Sequence, residues 1–103
     1  MLLTEKLRKE LPPLYSTEDT ADPLVICKLF HTRTSWTWYI TEFDGEDIMF
    51  GLVVGFDTEL GYISLQELAT VRDDWGLGVE RDLWFTPKPL SEIRERLNSS
   101  NPA

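Results

Sequence analysis

Residues 36–56 read "WTWYITEFDGEDIMFGLVVGF", and two segments of alternating pattern meet there at Asp44-Gly45. In an extended chain Trp36, Trp38 and Ile40 share one face, and Thr37, Tyr39 and Thr41 share the other. That alternation predicts a half-buried strand with the two tryptophans in the core. Asp44 and Gly45 both tolerate the positive φ that a tight hairpin turn requires. The returning strand puts Ile48, Phe50, Leu52, Val54 and Phe56 on one face. Gly51 and Gly55 lie on its opposite face, where something as large as the tryptophan ladder can approach closely.

The flanks supply the rest of a sheet. "LLTEKLRKELPP" predicts a short helix, with Thr4 as N-cap, Glu5 in the first turn and Pro12-Pro13 as its stop. Leu3, Leu7 and Leu11 form its apolar stripe. "YSTEDTADP" is a polar loop, and "LVICKLF" predicts a strand largely buried on both faces. After a turn at "DTELG" comes a short strand "YISL". Ser64 and Glu67 then have the spacing of a capping box opening the helix "LQELATV". "RDDWGLG" reads as a loop, "VERDLWF" as a final strand with Trp84 in the core, and "EIRERL" as a last helix capped by Ser91. The expected order is α-β-β-β-β-α-β-α: an α+β fold with an antiparallel sheet of about five strands and short flanking helices. One domain over residues 1–103 fits this length, with residues 98–103 as a flexible tail.

Charge narrows the function. The net charge is −8, and between Arg33 and Arg72 there is no Lys or Arg. Glu42, Asp44, Glu46, Asp47, Asp57, Glu59 and Glu67 all fall in that segment, giving it −7 of the total. Direct nucleic-acid binding is disfavoured, because it needs cations that displace counterions from phosphates. One cysteine, Cys27, permits no internal disulfide and fits a reducing, cytoplasmic setting. "MLLTEKLRKE" lacks the apolar region of a secretory signal, and no stretch has the length of apolar sequence that spans a bilayer.

No motif announces a reaction. Cys27 and His31, four residues apart, form the minimum set for nucleophilic catalysis, yet a structural cysteine and a strand-end histidine account for them better. The acids around Gly45 lack the twelve-residue loop of a calcium site, and one His with one Cys makes no zinc site. No cofactor is expected. Trp75, between two acids and a glycine, is either an interface anchor or a lid over a core edge.

The stretches "LRKELPPLYSTE", "WTWYITEFDGED", "FGLVVGFDTELGYISLQEL" and "ERDLWFTPKPLSEI" together resemble a bacterial family catalogued as domain of unknown function 2958. The resemblance runs from about Leu2 to Ile93 and implies a self-contained small module. It also implies relatives encoded on plasmids, phages and integrated elements. It supplies no catalytic residues. The expectation is a non-enzymatic acidic binding protein of a mobile element. It would dock on a basic host protein such as a nuclease or CRISPR effector, acting as an anti-CRISPR or anti-restriction inhibitor. Its contact residues would be Glu42, Asp44, Glu46, Asp47, Asp57, Glu59, Asp73, Asp74 and Trp75, with the first four on a rigid hairpin tip. The alternatives are an accessory or ligand-binding domain with merely solubilising acids, or a small enzyme with an aromatic pocket around Trp36 and Trp38.

Overall fold

In the computed structural model, which describes residues 2–99, the two alternating segments form central strands of a five-stranded antiparallel sheet. The elements in chain order are α1 (Glu5–Glu10), β1 (Leu24–Val25), β2 (Cys27–His31), β3 (Thr37–Phe43) and β4 (Ile48–Val54). They continue with β5 (Thr58–Ser64), α2 (Leu65–Thr70), β6 (Val79–Arg81), β7 (Lys88–Pro89) and α3 (Leu90–Ser99). The sheet order is β5-β4-β3-β2-β6, and β1 pairs with β7 in a separate two-stranded ladder. This is the expected α+β architecture.

Register decides what each face carries. Trp38 lies opposite Val53, Tyr39 opposite Leu52 and Ile40 opposite Gly51. The ladder then shifts, so that Glu42 meets Phe50 and Phe43 meets Met49. Thr41 is the extra residue, and its hydroxyl donates to the Phe50 carbonyl at 3.1 Å. One inserted residue inverts the alternation that follows it. Phe43 thereby returns to the face of Trp38 and Ile40, and Glu42 moves to the face of Tyr39.

A core forms on each face. Trp38, Ile40, Phe43, Met49 and Leu29 pack with Leu3 and Leu11 from the α1 region and Leu65 and Leu68 of α2. Tyr39 and Leu52 pack on the other side with Val25 and with Leu90 and Ile93 of α3. The expected half-buried strand is therefore corrected: β3 is buried on both faces from Trp38 to Phe43, because α3 covers the side that the threonines made look wet. The glycines do make room. A Cβ on Gly51 would stand 2.0 Å from the Tyr39 carbonyl oxygen, and one on Gly55 would stand 2.2 Å from the Trp36 ring.

Five local expectations also need correction. The short strand at "YISL" begins earlier, since β5 takes in Thr58–Gly61 of the expected "DTELG" turn. "LVICKLF" breaks at Ile26 into β1 and β2, whose partners lie in different sheets, and β2 is fully buried on one face only. "VERDLWF" stops as a strand at Arg81. There the Asp82 side chain accepts from the Trp84 N–H at 2.9 Å and turns the chain, leaving Trp84 93% exposed rather than in the core. Ser91 does not cap α3. It lies inside the helix, and its N–H and hydroxyl donate to Asp22, 69 residues earlier. Asn98 is helical rather than part of a loose tail, and residues 100–103 lie outside the described residues. The α1 features stand as expected: the Thr4 hydroxyl accepts from the Leu7 N–H at 3.1 Å, and Leu3 and Leu11 are buried.

Candidate functional site

The acids of the 42–47 turn are mostly engaged within the protein. Asp44 Oδ1 accepts from the backbone N–H groups of Glu46, Asp47 and Ile48, and Gly45 adopts φ +90°. These bonds, the one from Glu46 first, hold the Asp44 carboxyl below its ordinary range. Asp47 accepts from the Ser64 hydroxyl and from the Gln66 N–H at 2.7 Å, securing the start of α2. Glu42 is only 3% exposed, accepting from the N–H groups of Tyr15 (2.8 Å) and Thr17 (2.9 Å) and from the Thr17 hydroxyl. Its place on the tip was a sequence expectation that the bulge overturns. Of the four expected tip acids, only Glu46 is exposed with no side-chain bond or ion pair among the described residues.

The remaining expected contact residues do not join that tip. Asp57 lies in the β4–β5 turn and Glu59 near the start of β5, at the opposite end of a strand about 20 Å long. Asp73 pairs with Arg33 at 3.4 Å and accepts from the N–H groups of Trp75 and Leu77, shaping its own loop. Asp74 is exposed, and Trp75 stands 75% exposed with the Arg33 guanidinium 5.5 Å from its ring centroid. Trp75 is thus not a buried lid.

Cys27 and His31 share a buried face of β2, but four residues of extended chain separate their Cα atoms by about 13 Å. Burial pushes the Cys27 thiol up to about 12, and His31 Nδ1 accepts from the Arg33 N–H at 3.1 Å. They cannot act on one another as a dyad. Among the described residues no three His, Cys, Asp or Glu side chains are arranged to hold a metal ion.

The concave feature that the sequence did not reveal lies on the α3 face, beside β5. A cavity of about 400 Å³ is bounded by Tyr15 and Thr17 of the 13–20 loop, Phe50 of β4, Leu60 and Tyr62 of β5, and Leu90 and Arg94 of α3. Tyr62 packs on Phe50 with ring centroids 5.0 Å apart, and Tyr15 on Tyr62 at 6.2 Å. Tyr15 holds a left-handed φ of 68°, which the bond from its N–H to Glu42 helps to fix. The Tyr62 phenol is raised above its usual range, first by partial removal from water and then by its bond with Tyr15. The only sequence signal for this site is the alternation of Leu60 and Tyr62. Its other walls come from distant segments that the buried Glu42 and α3 bring together. Trp36 and Trp38 line none of it: Trp36 stacks on Trp38 at 6.0 Å and meets Phe56 edge-on at 5.4 Å.

The exposed charges are unevenly paired. Glu18, Glu46, Asp57, Glu59 and Glu67 are exposed with no ion pair among the described residues; Asp57, Glu59 and Glu67 lie in or next to β5, where Arg94 of α3 is the cation lining the cavity. Lys28, Arg81, Lys88 and Arg96 line two hollows around Trp84 together with Asp82, and Lys28 and Arg96 pair with Asp82 and Glu92. The family model described as "Protein of unknown function (DUF2958)" matches residues 2–100. The chain belongs to that family. The match takes in all four resembling stretches, so the cavity and the exposed carboxylates lie within the family's own unit. No curated protein and no solved structure matches the chain. Among the described residues no helix is long and apolar enough to cross a membrane.

Proposed function

We propose that this domain is a non-enzymatic binding protein that docks its negative β5 side on a basic partner protein. The observation that carries the reading is a set of exposed carboxylates that make no ion pair among the described residues, with Asp57, Glu59 and Glu67 in or next to β5, on a chain of net charge −8. A molecule charged in this way orients itself in the field of a basic groove before contact, which raises the association rate. The resemblance to proteins of plasmids and phages directs the choice of partner to DNA-handling host proteins, nucleases or CRISPR effectors, whose grooves are basic. On this reading the domain acts in the cytoplasm as an inhibitor of such a protein.

The hairpin tip itself is a poor docking element, since Asp44 and Asp47 are occupied with backbone and Ser64 bonds. The test therefore reverses other acids. A variant carrying Glu46→Lys, Asp57→Lys and Glu59→Lys should keep its fold, because exposed charges without partners contribute little to stability. Basic partners captured by the unaltered protein at low salt should be lost by the variant, and lost by both at high salt. Equal capture by the variant at low salt would show the proposal to be wrong.

A further inference from the structure

The two edges of the sheet are protected very differently. β6 is only three residues long. β5 runs seven residues in unbroken register with β4, from Thr58 opposite Val54 to Ser64 opposite Ile48. It contains no Pro, Lys or Arg and no bulge, and its outer edge has no backbone partner among the described residues. α2 does not cover it, since Leu65 and Leu68 turn into the core on the Trp38 face. Proteins usually blunt an edge this long with a lysine, a proline or a bulge, because its free N–H and C=O groups are a template for another strand.

We infer that β5 is a docking edge for an extended segment of the partner, which adds to the sheet as a sixth strand. This rests on the acidic-surface reading above and specifies its geometry. The side chains of β5 state what the segment must carry. Leu60 and Tyr62 face the α3 side, where they form one wall of the cavity with Phe50 and Tyr15. Glu59 faces the α2 side next to Gly61, where a Cβ would meet nothing within 4 Å, so a long side chain has room. Side chains alternate across an added strand as they do in β5. The matching segment therefore alternates Lys or Arg, lying along Glu59 and Gly61, with apolar residues lying along Leu60 and Tyr62. One bulky aromatic of the segment enters the cavity, whose roughly 400 Å³ is at the small end of ligand pockets. A second copy of this chain is the poorer occupant, because each carries −8 and brings its own Glu59 to the edge.

The test uses the whole protein and two blocked heptapeptides of sequence Lys-Trp-Lys-Val-Lys-Val-Lys. They are identical except that one is N-methylated on the first alternate set of amides and the other on the second set. Only one set can face β5, so strand addition predicts that one peptide binds at least about tenfold more weakly than the other, at equal charge. The tighter peptide should shift the amide resonances of Thr58–Ser64 and quench on burial of its Trp. Tyr62→Ala should weaken it about tenfold, as loss of an aromatic anchor does. Equal binding by both peptides, abolished by salt, would overturn strand addition and leave the acidic surface standing. Discrimination between the peptides that salt does not weaken would keep the edge and overturn the acidic surface. Binding by neither peptide, or a dimer in sedimentation whose contacts map to β5, overturns the inference.

Discussion

Glu42 shows how one residue can change role between sequence and structure. In the sequence it is one of several acids before a turn, whereas in the fold it is a buried carboxylate that organises residues 13–20 from the side opposite its own strand. Replacing it with Ala leaves the N–H groups of Tyr15 and Thr17 without acceptors, and should cost about 2–4 kcal/mol. Amide exchange at Tyr15 and Thr17 should accelerate, and the cavity wall they form should loosen; unchanged exchange there would refute the role. Glu42→Gln keeps one acceptor oxygen and should lose roughly half as much. Cys27 gives a prediction of the opposite polarity. Its thiol moves from an ordinary 9.0 to about 12 in the fold, so the folded state resists ionisation. The stability this carries is intact below pH 9, falls as the pH rises above it and is gone near pH 12. The whole loss is roughly 4 kcal/mol at about 1.4 kcal/mol per pH unit. Cys27→Ala should remove that alkaline component, so its melting temperature should fall less between pH 8 and pH 11 than that of the unaltered protein. The buried Tyr39, also raised by desolvation, remains in both and leaves a shared slope.

At the scale of elements, what the sequence made legible was whatever depends on local pattern. The hairpin, the α1 stripe, the α2 start at Ser64 and the five-stranded sheet all follow from periodicity and capping chemistry, whereas the separate β1–β7 ladder does not. What it concealed were events that depend on a distant segment or a single inserted residue. The bulge at Thr41 sends Glu42 inward, Asp82 ends β6 early, and Asp22 rather than Ser91 anchors the start of α3. The candidate site was hidden for the same reason, since its walls come from the 13–20 loop, β4, β5 and α3. The two glycines of the β4 region were legible as places of close approach, and the structure now ranks them. At Gly51 the obstacle is the Tyr39 backbone, fixed by the ladder, whereas at Gly55 it is the rim of the Trp36 ring. Gly51→Ala should therefore destabilise by about 3 kcal/mol or prevent folding, as overpacking against an unyielding site does. Gly55→Ala should cost roughly 1 kcal/mol, because the half-buried Trp36 can swing aside. Denaturant unfolding of the pair measures this, and a Gly55 variant weaker than the Gly51 variant would reverse the assignment of which contact is rigid.

For the whole molecule, the fold displays more negative charge than it pairs. Four ion pairs among the described residues, Lys6–Glu10, Lys28–Asp82, Arg33–Asp73 and Arg96–Glu92, include no residue of β5 and are exposed or half-exposed, so each is worth little. The carboxylates without ion pairs repel one another, with Arg94 the cation lining the cavity beside β5, and a net −8 on a chain of this size opposes compaction. Salt should then stabilise the protein. Raising sodium chloride from about 10 mM to about 200 mM shortens the screening length from about 30 Å to below 10 Å, less than the length of β5. The melting temperature should rise over that interval, because repulsion along the edge is screened more than the few weak ion pairs are. The Glu46→Lys, Asp57→Lys, Glu59→Lys variant gains two charges at each site and reaches −2. Its melting temperature at low salt should exceed that of the unaltered protein, and its response to salt should be nearly flat. That outcome would mean the acids weaken the fold that carries them, which is expected of charge held for a partner and not of charge that braces the structure. A melting temperature that falls with salt would show instead that the carboxylates are paired in solution, and would remove the basis for a free acidic side.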